Sequence, residues 1–192
     1  MHPKMSINKK NPFTILILML CCLILTRKAW TEGNYIVTQL TDDSVHTYGA
    51  QIHNGQVVWA GYDGNDYEIF LYDGTQTMQL TNNDYNDSSP KIHNGSIAWL
   101  GYAGNNNEVF LYDGTQTIQL TANDYYDYHV EIHNGQVTWE KLDINGHAVF
   151  LNNGTETIQL VNDESWGFSY PHIHNGQVTW YNSDGNDYEI FL

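Results

Sequence analysis

From residue 30 onward the apolar residues come in short, dense runs of β-branched and aromatic side chains, and no stripe at helical spacing occurs. Runs such as Val57-Val58-Trp59-Ala60 and Ile97-Ala98-Trp99-Leu100 are apolar at consecutive positions, so both faces of the strands they form are expected to be covered. Turn signals separate them. Residues 90–93 are expected to form a strand, followed by Asn94-Gly95, a dipeptide favoured in two-residue hairpins because both positions need positive φ. Residues 96–101 read as a second strand, 104–107 as a turn and 108–112 as a third strand. Asp113-Gly114 is another hairpin signal, and residues 115–120 read as a fourth strand.

This pattern repeats. Ile52-His53-Asn54-Gly55 recurs as Ile92-His93-Asn94-Gly95, Ile132-His133-Asn134-Gly135 and Ile173-His174-Asn175-Gly176, at spacings of 40, 40 and 41 residues. Each copy is followed at a fixed offset by Trp59, Trp99, Trp139 or Trp180, and then by Glu68-Ile69-Phe70-Leu71 or its counterpart. Four short strands every 40 residues, each sheet covered on both faces, describe an all-β fold: a β-propeller of four-stranded antiparallel blades. A two-sheet sandwich would leave so strict a period unexplained. The units run over residues 51–90, 91–130 and 131–171, with a fourth over 172–192 that stops after its third strand. Residues 35–41 match only the fourth strand of a unit, so they are expected to complete the last blade and close about four blades into a ring. Pairing of half-rings through self-association, or membership of a longer array, are the alternatives.

The unit Ser89-Pro90, His93-Asn94-Gly95, Ile97-Ala98-Trp99, Gly104-Asn105, Glu108-Val109-Phe110-Leu111-Tyr112-Asp113-Gly114, Gln119-Leu120-Thr121 resembles the TolB-type, WD40-like propeller repeat. That repeat runs Ser-Pro, a short Asp-Gly turn, an apolar strand, Asp-Gly-Asn, Glu-Ile-Tyr and a closing Leu-Thr. The resemblance covers residues 35–192 and departs in its His-preceded Asn-Gly turn and in offering four blades where TolB has six. It implies a propeller scaffold located outside the cytoplasm. The same blade type accompanies peptidase domains, and the 192 residues leave no room for one.

Charge and composition change the picture in two ways. The first 29 residues hold Lys4, Lys9, Lys10, Arg27 and Lys28, both cysteines (Cys21 and Cys22), and an almost unbroken apolar run of 13 residues from Phe13 to Leu25. A basic flank before a short apolar run is the layout of a secretory signal, and 13 residues fall short of the roughly 20 that span a membrane. Residues 1–29 are therefore expected to be a signal peptide, with an uncleaved anchor as the alternative, and residues 30–192 an extracytoplasmic, secreted or cell-surface propeller domain. Beyond residue 29 stand all 22 acidic residues against Lys91 and Lys141, a net charge of −20. So acidic a body repels nucleic acid and anionic membranes. Lacking cysteine, it has no disulfide framework and no thiolate chemistry.

Candidate chemistry follows from where the repeat places polar residues. In a propeller, the turn between the second and third strands of a blade shares a face with the linker between blades. Asp63, Asp66, Asp84, Asp87, Asp124, Asp127, Asp143, Asp163, Glu164, Asp184 and Asp187, with Asp42 and Asp43, are thus expected to crowd one rim. Tyr85, Tyr125, Tyr126, Tyr128, Trp166 and Tyr170 share it, which suggests binding of a protein or of a glycan at the cell surface. A multivalent lectin, one shallow pocket per blade, is the alternative. Carboxylate and amide oxygens at Asp63, Asn65, Asp84 and Asp87 suit calcium, although Asp, Asn and Gly are also what tight turns require. His53, His93, His133 and His174 could form a nitrogen metal ring or simply flank inherited turns. The four repeated tryptophans are expected in the core. Asn86-Asp87-Ser88, Asn94-Gly95-Ser96 and Asn153-Gly154-Thr155 read as glycosylation sequons. No nucleophile elbow or phosphate loop occurs, so no enzyme is expected. In the divergent third unit, Glu140 and Lys141 read as an exposed ion pair.

Overall fold

The structure is a computed structural model that describes residues 29–32, 35–42, 44–163, 169–183 and 186–192. Residues 1–28 of the expected signal, together with Asp43, Glu164, Trp166 and Asp184, lie outside the described residues. The chain divides into two compact units, residues 1–38 and 39–192.

In the first unit, β1 (Ala29–Glu32) and β2 (Tyr35–Thr38) form an antiparallel hairpin, with Ala29 opposite Thr38 and Glu32 opposite Tyr35.

The second unit holds four sheets in chain order. The first contains β3 (Thr47–His53), β4 (Gln56–Tyr62), β5 (Tyr67–Tyr72) and β6 (Thr77–Gln79). The second contains β7 (Asp87–His93), β8 (Ser96–Gly101), β9 (Glu108–Tyr112) and β10 (Thr117–Gln119). The third contains β11 (Tyr126–His133), β12 (Gln136–Asp143), β13 (Gly146–Asn152) and β14 (Thr157–Asp163). The fourth has three strands, β15 (His172–His174), β16 (Gln177–Ser183) and β17 (Tyr188–Phe191). Every sheet is an antiparallel meander, the pattern of a propeller blade.

Consecutive sheets bury their faces against one another. Val58, Ala60, Ile69 and Leu71 of the first sheet pack against Ile92, Ile97, Trp99 and Phe110 of the second. The opposite face of the second sheet, Ala98, Leu100, Val109 and Leu111, packs against Val130, Ile132, Val137 and Trp139 of the third. A smaller cluster of Val149, Leu151 and Val178 joins the third sheet to the fourth. Strand alternation explains this division: Val58 and Ala60 point forward along the chain, while Trp99 and Trp139 point back. Each tryptophan lies stacked on a phenylalanine of its own sheet, at 5.9, 5.6, 5.6 and 5.8 Å between centroids for Trp59–Phe70, Trp99–Phe110, Trp139–Phe150 and Trp180–Phe191.

Local geometry matches the turn chemistry. Asn54, Asn94, Asn134 and Asn175 have φ of 49–51°, and the glycines after them 77–84°, so both central residues of each hairpin are left-handed. The first strands of the first three sheets run longer than expected and contain a bulge, between Tyr48 and Gln51, Ser88 and Lys91, and Tyr128 and Glu131. The bulge accommodates Pro90 inside β7, where a regular ladder would miss its N–H.

Candidate functional site

Two ends of the sheets differ in chemistry. At one end the His-Asn-Gly turns between the first and second strands of each sheet stack into a ladder. The His53, His93, His133 and His174 rings follow one another at centroid distances of 4.2, 4.0 and 4.4 Å. The Asn94 and Asn134 backbone N–H groups donate to Nδ1 of His53 and His93, both at 3.0 Å. Asn54 donates its amide to Asn94 (3.0 Å), and Asn94 to Asn134 (2.9 Å). These imidazoles file past one another, and two of them, His53 and His93, spend Nδ1 on the backbone. Burial, then the neighbouring His133, His53 and His174, hold His93 below the ordinary histidine range.

At the opposite end, the turns between second and third strands do meet the linkers between sheets, as expected. The Asn86 side chain accepts from the Tyr67 backbone N–H (3.1 Å), and the Asn106 amide donates to the Asn123 carbonyl (3.0 Å) and to the Tyr125 carbonyl. The carboxylates sort into two groups. Asp63, Asp84, Asp124 and Asp187 are exposed, whereas Asp66, Asp87 and Asp127 are buried and do not present to solvent. Tyr125 is exposed; Tyr85 is half-buried and stacks on Phe110 at 6.3 Å. Of the four residues considered for calcium, Asp63 lies within reach of Asp66 and Glu68, while Asp87 turns inward, accepting from Asn83 at 3.0 Å.

The buried carboxylates latch each sheet to the next. Glu68, at the start of the buried part of β5, accepts from the Thr81 hydroxyl (2.5 Å) and the Asn83 backbone N–H (2.6 Å) of the linker. Thr81 in turn accepts from the Ile69 N–H at 2.8 Å. The second sheet repeats this: Asn123 N–H donates to Glu108 (3.1 Å), and Thr121 accepts from Val109 N–H (2.8 Å) and donates to Asp127 (2.6 Å). Burial pushes Glu68 up to about 7 and Asp127 up to about 7, and raises Asp87 as well. By contrast, exposed Asp73 accepts backbone N–H bonds from Thr75 and Gln76, which hold it at about 2, and Asp113 is held at about 2 by Thr115 and Gln116. Sequence reasoning missed Glu68 and Glu108. The available signal was a charged residue opening an otherwise apolar strand in three of the four units.

The third unit departs from this scheme. Glu140 is fully buried where the other units have Ala60 and Leu100, and Lys141 bonds Asp143 at 2.5 Å, so the two are not the exposed pair expected above. Glu140 contacts His129 Nδ1 (2.6 Å) and His147 Nδ1 (2.5 Å) and accepts from the Ser169 N–H at 2.8 Å. Burial alone would raise it; His129, the Ser169 N–H and His147 together hold it below the usual range. Glu140→Ala is expected to cost about 3–5 kcal/mol in urea unfolding, because it leaves an imidazole pair and an N–H without their acceptor. Glu140→Leu, which restores the residue type of Leu100, should cost less than the alanine change; equal costs would show that filling the site contributes nothing and that the lost acceptor accounts for the whole effect.

Around this triad runs a belt of aromatic rings: Tyr126–Tyr128 (6.1 Å), Tyr128–His129 (6.2 Å), His129–Tyr170 (3.9 Å), Tyr170–Tyr181 (5.5 Å) and Tyr181–Tyr188 (5.6 Å). Tyr126, Tyr170 and Tyr188 are exposed, Tyr188 at 62%. Beside the belt opens a cavity of about 320 Å³ lined by Ser89, Lys91, His129, Glu131, Tyr170 and His172 among others. Ser89, His129 and Tyr170 occupy the same repeat position and all have positive φ, 53°, 48° and 39°. Repetition breaks here in side chain but not in backbone.

No family model matches the chain, and no curated protein is similar to it in sequence. Among solved structures it is similar to the β-propeller domain of the Trilobed protease from Pyrococcus furiosus, at 12% identity and a TM-score of 0.59 over 82% of this chain and 51% of that one. It is also similar to TolB from Acinetobacter baumannii (13%, 0.57, 85% and 44%) and to the Pyrococcus horikoshii acylaminoacyl peptidase (16%, 0.56, 79% and 27%). The chain spans about half or less of the length of these three proteins. At such identities the likeness concerns the fold alone. The chain has a TolB-like β-propeller fold built of four-stranded antiparallel blades.

Proposed function

We propose that the protein is an exported, non-catalytic propeller scaffold that binds a protein or glycan of the cell surface through its acidic, tyrosine-rich rim. The observation that carries this reading is the belt from Tyr126 to Tyr188, whose exposed rings stand at the same end of the sheets as Asp124 and Asp187. Tyrosine offers large, stiff contact area with a polar tip, and is enriched where proteins bind partners. The belt belongs to the third and fourth sheets, which favours a single site over the four equivalent pockets of a multivalent lectin. Export rests on the basic and apolar leading segment, and the non-catalytic character on the missing nucleophile and phosphate motifs.

The test compares the native protein with a Tyr126→Ser, Tyr188→Ser variant on a glycan array and in capture from a cell-surface extract. Loss of about 1–3 kcal/mol of binding, roughly 5- to 150-fold, is expected for the variant with its fold intact. Blank results for the native protein in both formats would sink the proposal. Self-association is a second reading, carried by Ile190 and Leu192, exposed at 77% and 76% in and beyond the edge strand β17. A solution mass equal to the monomer would exclude it.

A further inference from the structure

The first two units have loops of equal length that differ at one buried position. Residues 102–107 read Tyr-Ala-Gly-Asn-Asn-Asn, and residues 62–67 read Tyr-Asp-Gly-Asn-Asp-Tyr, so Asn106 corresponds to Asp66. Asn106, 5% exposed, uses its amide hydrogens on two backbone carbonyls of the following linker, those of Asn123 and Tyr125. The corresponding linker of the first unit is built the same way. Asn83 N–H meets Glu68 as Asn123 N–H meets Glu108, and the Tyr85 and Tyr125 N–H groups meet Asn83 Oδ1 and Asn123 Oδ1 at 2.9 and 2.8 Å. By this register the carbonyls of Asn83 and Tyr85 stand opposite Asp66.

A carboxylate has no hydrogen to give them. Asp66 is only 8% exposed; its Oδ2 accepts from the Asn65 amide at 3.2 Å, and its Oδ1 is buried without a partner. Asp63, Asp66 and Glu68 each offer a carboxylate oxygen, all within 4.8 Å of one another. Oxygens bound to one calcium ion at 2.3–2.6 Å lie at most about twice that distance apart. Burial, and then the nearby Asp63 and Asp84, disfavour a bare charge on Asp66. Acceptors facing acceptors, with an orphaned oxygen among them, call for a positive occupant. Asp63 is exposed, which gives that occupant a way in from solvent.

We propose that Asp66, with Asp63 and Glu68, binds one calcium ion in the first unit, and that the ion stands where the Asn106 amide stands in the second. Backbone carbonyls and water complete the oxygen shell. Magnesium fits less well, because it demands near-ideal octahedral geometry at a shorter distance. A proton on Asp66 is the competing occupant, and the experiment separates the two.

The full chain is melted in excess EDTA and in calcium chloride at about ten times the half-saturating concentration, expected in the range of about 0.1–1 mM. Calcium should raise Tm by about 3–6 °C, and magnesium by less. Asp66→Asn should abolish the response while leaving Tm in EDTA at or above that of the native chain, since Asn106 already shows the amide accommodated there. Equilibrium dialysis should find one ion fewer on Asp66→Asn than on the native chain, and no gain on Asn106→Asp, because Ala103 stands where the first unit has Asp63. A native Tm identical in calcium and EDTA would leave the proton as occupant and overturn the site. An ion count unchanged by Asp66→Asn would overturn it equally.

Discussion

Trp99→Ala is expected to destabilise the protein by about 3–5 kcal/mol, read as a lower urea midpoint at unchanged slope. Trp99 is 1% exposed and belongs to the cluster that joins the first two sheets, between Val58, Ala60, Ile69 and Leu71 on one side and Phe110 on its own sheet. Removing the indole opens a cavity whose walls are strands of two hydrogen-bonded sheets, which cannot collapse into it. Trp180→Ala provides the comparison. Trp180 is half-buried against the small cluster between the third and fourth sheets, so its loss should cost clearly less. Equal costs at the two positions, or a cost under about 1 kcal/mol at Trp99, would mean that sheet-on-sheet packing is not what holds the blades together.

Asp127→Asn is expected to change how stability depends on pH. Burial raises Asp127 to about 7, above its unfolded value of 3.8. A carboxyl whose pKa is higher in the folded state contributes stability that is complete below the unfolded pKa and is lost as pH rises through the folded one. The native protein should therefore lose stability relative to Asp127→Asn by about 1.4 kcal/mol per pH unit between about 4 and 7, up to about 4 kcal/mol, and the difference should then level off. His93 has the opposite sign: its lowered pKa gives stability that is present above about 6.5 and lost as pH falls. In the native profile the Asp127 and His93 slopes oppose each other below 6.5; in Asp127→Asn the Asp127 slope is gone, while Glu68, also raised to about 7, and Asp87 keep theirs. Measuring both proteins by urea unfolding from pH 4 to 8 in EDTA checks this. Parallel profiles would show that Asp127 titrates normally.

Both predictions concern residues of one repeat, yet they differ in how far the chain itself announced them. The strands of the second unit, the Asn-Gly turns and the buried tryptophans were legible because each depends on a few adjacent residues. An Asn-Gly pair needs only its own two backbone angles, and the run Ile97-Ala98-Trp99-Leu100 needs only a sheet on either side. The role of the acidic residues was not legible in the same way. Asp63 and Asp66 are three residues apart in a similar polar turn, but one is exposed and the other is buried. Likewise Asp84 and Asp87 share a linker, and Asp87 alone turns under Gly101, where an added Cβ would lie 2.6 Å from its Oδ1.

The sequence by itself therefore determined the period, the all-β class and the charge of the domain, since those follow from composition and from spacings of a few residues. Only the tertiary structure decided which carboxylates are latches, that Glu140 is held between His129 and His147, that the repeated histidines stack in a ladder, and that residues 35–38 pair with 29–32. The latches and the histidine ladder join residues about 12 to 42 positions apart across consecutive sheets. Whether a carboxylate there is solvated or buried depends on how closely two sheets approach, a distance that no local pattern of side chains encodes.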